Sequence, residues 1–153
     1  MKLMRKMVLA LLLGSLPLAA LAGEAKIIKV LPHLLDKQGR NSVSPSLFER
    51  DAYQAHLRLN PKEIHGVRYD VQWRNEPTSE TPLKLRLQIR SENSQNSTPT
   101  VIETVVKPSH SKARWSSISI PVELYQKLGR VISWKVELLS GEDAIAQQSS
   151  FLW

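Results

Sequence analysis

The chain has 153 residues, no cysteine and a formal net charge of +7. The lack of cysteine excludes disulfide bonds, thiol catalysis and cysteine-ligated zinc. Three of the basic residues lie within the first 22 positions, so the remainder carries only +4, far below the charge of a dedicated nucleic-acid binder.

The first 22 residues predict an export signal. Three basic residues precede an apolar run that begins at Val8, and the segment ends in Ala20-Leu21-Ala22. This order of a basic head, an apolar stretch and small residues is typical of a cleaved secretory signal peptide. The apolar stretch is short and interrupted by Pro17, which argues against a transmembrane anchor. We therefore expect residues 1–22 to be removed and residues 23–153 to fold as one β-sandwich domain, in the periplasm or secreted.

Seven segments after the signal predict β-strands. Three of them alternate apolar and polar residues, as half-buried antiparallel strands do. These are Val67–Trp73, Leu83–Arg90 and Ile132–Leu138. The weaker candidates are Ala25–Leu31, Val101–Lys107, Trp115–Ile120 and Ala144–Trp153. Seven short strands separated by turn-forming residues favour a mostly β domain, either a sandwich or a barrel.

The segment Ser46–Leu59 predicts one short helix between the first two strands. Ser46 and Glu49 have the spacing of a capping box, in which each side chain bonds to a backbone N–H near the start of the helix. Apolar residues recur at helical spacing until Asn60-Pro61 ends the run: Phe48, Ala52, Ala55 and Leu59. Because alternate residues from Tyr53 to Leu59 are also apolar, a strand remains the alternative for this segment.

The last third of the chain carries a resemblance to a known family. A helical turn is predicted over Val122–Leu128, ended by Gly129. The spacing of Leu128, Trp134, Val136 and Leu138 resembles that of fibronectin type III and related immunoglobulin-like domains, in which a corner leucine precedes the sixth strand. Those families usually carry a tyrosine where Trp134 stands. The resemblance covers roughly the last 40 residues and implies a seven-strand immunoglobulin-like sandwich that binds through loops and edges, with no shared active site.

The sequence contains no recognisable catalytic or metal-binding motif. The histidines at positions 33, 56, 65 and 110 lack the paired spacing of metal ligands. Ser109-His110-Ser111 places hydroxyls beside an imidazole, but neighbours in sequence rarely share the geometry of a nucleophile and its base. Asp70 and Glu137 are expected to point outward as surface charges rather than to face each other across a cleft. We therefore predict a protein that is not an enzyme and that holds no cofactor.

A basic row on the strand Leu83–Arg90 is the first candidate binding surface. Lys84, Arg86 and Arg90 lie on one face of this strand and could bind a polyanion or an acidic polysaccharide. The favoured interpretation is a solvated sheet face whose charges are balanced by Asp70 and Glu137 on adjacent strands. No aromatic residue is interleaved with the row, which argues against single-stranded nucleic acid.

The final strand, Ala144–Trp153, is the second candidate binding surface, with Gln147 and Gln148 near its centre. It lies at a chain end, where a sheet edge is expected, and Ala144–Phe151 contains no lysine, arginine or proline to discourage pairing with another strand. Phe151 and Trp153 are expected to close the core. A terminal aromatic residue is also found in small outer-membrane barrels, a less favoured alternative because their strands need about 9–11 residues.

These features together predict an exported, non-enzymatic binding or assembly module. The expected partner is another envelope or extracellular protein. A carbohydrate-binding or enzyme-accessory domain is the alternative, which exposed aromatic residues aligned on one face would favour. Neither a nucleic-acid partner nor a membrane anchor after cleavage is expected.

Overall fold

The computed structural model describes residues 25–75, 82–94, 98–107 and 113–153, and the signal predicted over residues 1–22 lies outside these ranges. The described residues form two antiparallel sheets. The elements, in chain order, are β1 (Lys26–Leu35), α1 (Leu47–Leu59), a 3-10 turn (Pro61–Glu63), β2 (Gly66–Arg74), β3 (Leu83–Ser91), β4 (Thr100–Val106), β5 (Arg114–Ile120), α2 (Val122–Leu128), β6 (Val131–Ser140) and β7 (Asp143–Ser149).

The strands are arranged as a three-stranded sheet in the order β1-β2-β5 and a four-stranded sheet in the order β4-β3-β6-β7. This topology confirms the predicted immunoglobulin-like antiparallel sandwich with a helix between its first two strands. In immunoglobulin constant domains the fourth strand joins the sheet of the first two strands. Here β4 pairs with β3 instead, and β4 and β7 are the two edges of the larger sheet.

The core lies between the sheets because alternate residues of each strand point inward. The buried inward residues of the two central strands are Val67, Tyr69, Val71 and Trp73 of β2, and Leu83, Leu85, Leu87 and Ile89 of β3. Val136 and Leu138 of β6 are fully buried beside them. The ring of Trp134 packs edge-on against that of Tyr69, with 5.9 Å between the ring centroids. The predicted inward face of β6 is therefore confirmed.

Helix α1 begins where the sequence predicts, but the predicted capping box is wrong. The backbone of Ser46 is extended and its side chain makes no capping bond. The N–H of Ser46, which Glu49 would have to bond, donates instead to the hydroxyl oxygen of Ser44 at 3.1 Å. The helix starts on the backbone bond from the N–H of Arg50 to the carbonyl of Ser46, at 2.9 Å.

The apolar residues that indicated helix α1 point to solvent. Phe48 and Leu59 are exposed at 81% and 82%, and Ala52 and Ala55 between them are exposed as well. The buried residues of the helix are Gln54 and Leu57. The helix is therefore held against the sandwich by its other face.

The prediction that Phe151 and Trp153 close the core is wrong. Strand β7 ends at Ser149, and Phe151 is fully exposed. The N–H of Ser150 still donates to the carbonyl of Trp134 at 2.9 Å, but the N–H of Trp153 then donates to the carbonyl of Ser150 at 3.2 Å. This tight turn takes the last residues out of line with the strand, and Trp153 lies against the charged outer face of the sheet.

Candidate binding surfaces

The predicted basic row lies on the outer face of the four-stranded sheet. Lys84 and Arg86 alternate with the buried leucines of β3, so their side chains point away from the core. The Nζ of Lys84 lies 3.1 Å from an oxygen of Glu142 and 3.7 Å from one of Glu103. The guanidinium of Arg86 lies 2.6 Å from Glu103 and 3.5 Å from Glu142. Each of these two cations thus lies within 4 Å of both Glu103 and Glu142.

The balancing carboxylates are only partly those predicted. Glu137 does face Arg86 across the β3–β6 pair, with 3.9 Å between an oxygen and the guanidinium. Asp70 lies on β2 in the other sheet and pairs with Arg68 at 2.9 Å, so its predicted role beside the row is wrong. The carboxylates that replace it, Glu103 and Glu142, lie on β4 and in the β6–β7 turn. The prediction failed because strand neighbours depend on the sheet order.

The ion pairs stabilise the charged forms of this network. The hydrogen bond to Glu142 is the main cause that raises the pKa of Lys84, and the bond to Glu103 is the main cause for Arg86. The Arg86 guanidinium in turn lowers the pKa of the Glu103 carboxyl. Because these cations are already paired, a polyanion would have to compete with the protein's own carboxylates.

Glu137 is the buried centre of the same face. Burial alone would raise its pKa, but hydrogen bonds from Lys135 and Gln88, together with the positive charges of Lys135 and Arg86, lower it. The Nζ of Lys135 lies 2.9 Å from one carboxylate oxygen, and the amide of Gln88 donates to the other at 2.8 Å. Since both oxygens are bonded, this carboxylate is held as an anion in a structural network.

Arg90 is separate from these ion pairs. Its guanidinium lies 4.2 Å from the ring centroid of Trp153, and the Nζ of Lys135 lies 5.4 Å from the same centroid. The Nε of Arg90 is buried and, within the part of the chain that the structure describes, has no hydrogen-bond partner. A cation against an aromatic face is favourable. The sequence did not reveal this contact because Trp153 was assigned to the core.

The edge strand β7 carries the second pair of predicted residues. Gln147 lies opposite Glu137 on the outer face, whereas Gln148 lies opposite the buried Val136 and points inward. The Oε1 of Gln148 is buried and has no hydrogen-bond partner among the described residues. Since Ser150 donates its N–H to β6 and N–H directions alternate along a strand, we expect the N–H groups of Gln147 and Ser149 to face the free edge.

Strand β1 is an edge of the three-stranded sheet, and this edge is protected. The side-chain amide of Gln54 on α1 accepts from the N–H of Leu34 at 2.8 Å and donates to its carbonyl at 2.9 Å, so it occupies the edge of the strand. Farther along, β1 carries two exposed lysines, an irregular register between Ile27 and Lys29, and Pro32. Charges, bulges and proline are the usual protections of an edge strand. The prediction that β7 is the less protected of the two is therefore supported.

A cleft of about 1030 Å³ is lined by residues of β1, α1, the 3-10 turn and α2, and the sequence did not indicate it. Its lining includes His33, Arg58, Tyr125 and Arg130. Burial is the main cause that lowers the pKa of His33, and burial also raises the pKa of Tyr125. A salt bridge of 3.0 Å between Arg130 and Glu92 lies at the cleft.

One Ser, Asp and His cluster lies on the outer face of the three-stranded sheet. The hydroxyl of Ser117 donates to Asp70 at 2.6 Å, and the Nε2 of His33 lies 3.4 Å from the same carboxylate. A serine nucleophile needs the histidine as its own hydrogen-bond partner. Here the carboxylate stands between them, so the arrangement does not activate the serine.

Other predicted motifs receive no support as sites. Residues 108–112, which include Ser109-His110-Ser111, lie outside the described ranges. No group of three or more potential metal-ligating side chains occurs within residues 25–75, 82–94, 98–107 and 113–153. In those same ranges no helix is both long and apolar enough to cross a membrane.

No family model matches the chain, and no curated protein or solved structure is significantly similar to it.

Proposed function

We propose that this protein is an exported, non-enzymatic binding or assembly module that receives a strand of a partner protein on the free edge of its four-stranded sheet. Strand addition uses backbone hydrogen bonds for affinity and nearby side chains for specificity. The observation that carries the proposal is the contrast between the two terminal strands. Gln54 occupies the edge of β1, whereas β7, from Asp143 to Ser149, contains no lysine, arginine or proline.

The ion pairs of the basic row also favour strand addition at a sheet edge over the binding of a polyanion. Lys84 and Arg86 already contact Glu103 and Glu142, so the row is a mixed-charge surface. The exposed aromatic residues lie on different elements: Phe48 is on α1, Trp115 is on β5 and Phe151 follows β7. They are therefore not aligned on one face, which does not favour the carbohydrate-binding alternative. The partner that these observations favour is another envelope or extracellular protein.

Strand β4 is the competing edge for the same function. It pairs with β3 without any irregularity and exposes Val101 and Val105 on either side of Glu103. Strand β7, in contrast, has an irregular register with β6 near Ile145, which shortens its regular edge. A long, regular and apolar edge is a strong template for strand pairing.

Capture of partners from the native envelope, with matched variants, tests the proposal. Gln147→Pro removes an N–H that faces the edge, while Gln147→Ala keeps it and serves as the control. We expect the captured protein to be lost with the proline variant alone and to depend weakly on salt, because backbone hydrogen bonds are not screened as charges are. If the captured protein is lost with Val105→Pro instead, the binding edge is β4 and not β7. Binding that survives both prolines and disappears with the triple change of Lys84, Arg86 and Arg90 to alanine would overturn the proposal.

Export is tested separately by mass analysis of the N-terminus. The small residues at Ala20-Leu21-Ala22 place the expected cleavage after Ala22, so the exported protein should begin at Gly23. An intact Met1 on membrane-bound protein would contradict this part of the proposal.

A further inference from the structure

Helix α1 presents an apolar stripe to solvent directly opposite the face that holds it to the sandwich. The stripe consists of Phe48, Ala52, Ala55 and Leu59, at intervals of four, three and four residues, which place them on one side of a helix. Large apolar side chains exposed together usually mark an interaction surface. Leu47, exposed at 67%, and Val43, exposed at 59%, are further exposed apolar residues at and before the start of the helix.

We propose that this stripe is the interface of an antiparallel homodimer in which α1 pairs with α1 of a second copy. The order of the stripe is large, small, small, large, and the intervals are the same read from either end. A two-fold axis between Ala52 and Ala55 would therefore place Phe48 against Leu59 of the partner subunit. The two alanines would face each other at the centre, where small side chains allow helices to approach closely. A two-fold interface requires this kind of self-complementarity.

The charges beside the stripe have the same antiparallel complementarity. Asp51 and Arg58, seven residues apart, flank one side of it. Glu49 flanks the other side together with the imidazole of His56, which bonds to Glu63 of the same chain at 2.9 Å. All four are exposed. Antiparallel pairing brings Asp51 near Arg58 of the partner subunit, whereas parallel pairing would place like charges together. The mixed charges of the two flanks and the small central residues fit a second helix better than an anionic lipid surface.

The size of the surface implies a weak dimer. A helix of 13 residues is only about 20 Å long, and a contact of that length lies at the low end of interface areas, below about 1,200 Å². The surface is separate from the edge of β7, so the dimer does not rest on the function proposed above. An experiment that contradicts the dimer therefore does not contradict strand addition on β7, and the reverse also holds.

Sedimentation equilibrium of the exported protein over a range of concentrations is the first test. We expect a reversible monomer–dimer equilibrium that Ala52→Lys weakens by at least about tenfold, because a long charged side chain cannot fit at the close approach. The matched control, Gln126→Lys, changes an exposed residue on the other helix and should leave the equilibrium unchanged. Circular dichroism should show both variants folded, since both positions are exposed. A protein that stays monomeric throughout would overturn the proposal.

Charge reversal and cross-linking test the antiparallel arrangement. Asp51→Arg should weaken the dimer, and adding Arg58→Asp should restore it. These residues are about 10.5 Å apart along one helix, so the rescue must act between chains. Arg50, which pairs with Asp51 at 3.0 Å in the same chain, stays unchanged in both variants.

The lack of native cysteine makes disulfide trapping specific. A mixture of Phe48→Cys and Leu59→Cys proteins should form a mixed disulfide, because the two positions face each other. Phe48→Cys alone should not, since its two copies would be about 16 Å apart along the helices. Efficient cross-linking of Phe48→Cys alone would overturn the antiparallel arrangement. Binding of monomers to zwitterionic vesicles, lost with Ala52→Lys, would show that lipid occupies the stripe instead and would also overturn the proposal.

Discussion

Gln54 of α1 bonds to both backbone groups of Leu34, accepting its N–H at 2.8 Å and donating to its carbonyl at 2.9 Å. The same amide nitrogen donates to the carbonyl of Asn41 at 2.8 Å. A buried glutamine thus joins the helix, the edge of β1 and the loop between them. Its full set of bonds explains why a polar residue, rather than the apolar stripe, faces the sandwich.

We expect Gln54→Ala to lower the free energy of unfolding by about 2 kcal/mol, because it leaves partly buried backbone groups of Leu34 without this partner. Chemical denaturation measures this cost. Gln126→Ala, at an exposed position on α2, should stay within about 0.5 kcal/mol. Equal effects of the two changes would show that the bonds of Gln54 contribute nothing measurable.

The strands and the face of each strand could be predicted from the sequence, whereas the orientation of α1 could not. Alternation decides which residues of β2 and β3 are buried, because a period of two is local to the strand. Strand β6 departs from the pattern, since Ser133, Glu137 and Leu139 of its outer face are buried as well. The buried face of α1 depends on Gln54, whose partners lie 13 and 20 residues away. No local pattern distinguishes such a residue from a surface glutamine.

The sequence predicts on which face the candidate site residues lie, but it does not predict which side chains they contact. Alternation correctly placed Lys84 and Arg86 on an outer face. Their partners Glu103 and Glu142 could not be identified, because they come from β4 and from the β6–β7 turn, and the sheet order decides which elements become neighbours. Trp153 could not be placed beside Arg90 because its direction depends on one turn at Ser150.

Asp36 predicts a dependence of stability on pH. Burial opposes its ionisation, but bonds from the backbone and side chain of Arg40 and from the hydroxyl of Tyr53 lower its pKa from 3.8 to about 2. A lowered pKa stabilises the folded protein above pH 3.8, and this contribution is lost as the pH falls towards 2. Asp36→Asn should therefore destabilise the protein at neutral pH by about 1.5–3 kcal/mol.

Denaturation at several pH values measures this contribution. The difference between wild type and Asp36→Asn should be constant from neutral pH down to about pH 5 and should shrink below pH 4. Tyr53→Phe removes the bond of 2.7 Å to Asp36 but leaves the bonds from Arg40 to Asp36, and should cost less, about 1 kcal/mol. A difference independent of pH down to pH 2 would contradict the role of the ionised carboxylate.

Gly129 ends helix α2 in a conformation that other residues rarely adopt. Its φ is 71° and its ψ is −157°, a region that is essentially restricted to glycine. A Cβ at this position would also lie 3.1 Å from the side-chain nitrogen of Asn93. We expect Gly129→Ala to destabilise the protein by about 2 kcal/mol. Gly39, with φ 73° and nothing near its Cβ position, is the matched control, and Gly39→Ala should cost about 1 kcal/mol. A reversed order of the two costs would contradict this assignment.

The neighbours Trp134 and Lys135 test the two faces of β6. Trp134 packs against Tyr69 in the core but is only partly buried, so Trp134→Ala should cost about 3 kcal/mol, at the low end for such a change. The sequence alone predicts that Lys135→Ala on the outer face is nearly neutral. The structure replaces this expectation, because Lys135 lies 2.9 Å from the buried Glu137. We expect Lys135→Ala to cost about 1–2 kcal/mol.

A double-mutant cycle separates the ion pair from other effects of Lys135. In the Glu137→Gln background the carboxylate charge is absent, so Lys135→Ala should cost less there than in the wild type, by about 1 kcal/mol. Lys37→Ala, at an exposed position after β1, should stay within about 0.5 kcal/mol in both backgrounds. Chemical denaturation of the four variants gives the coupling. If Lys135→Ala costs the same in both backgrounds, its effect comes from packing against Trp153 rather than from Glu137.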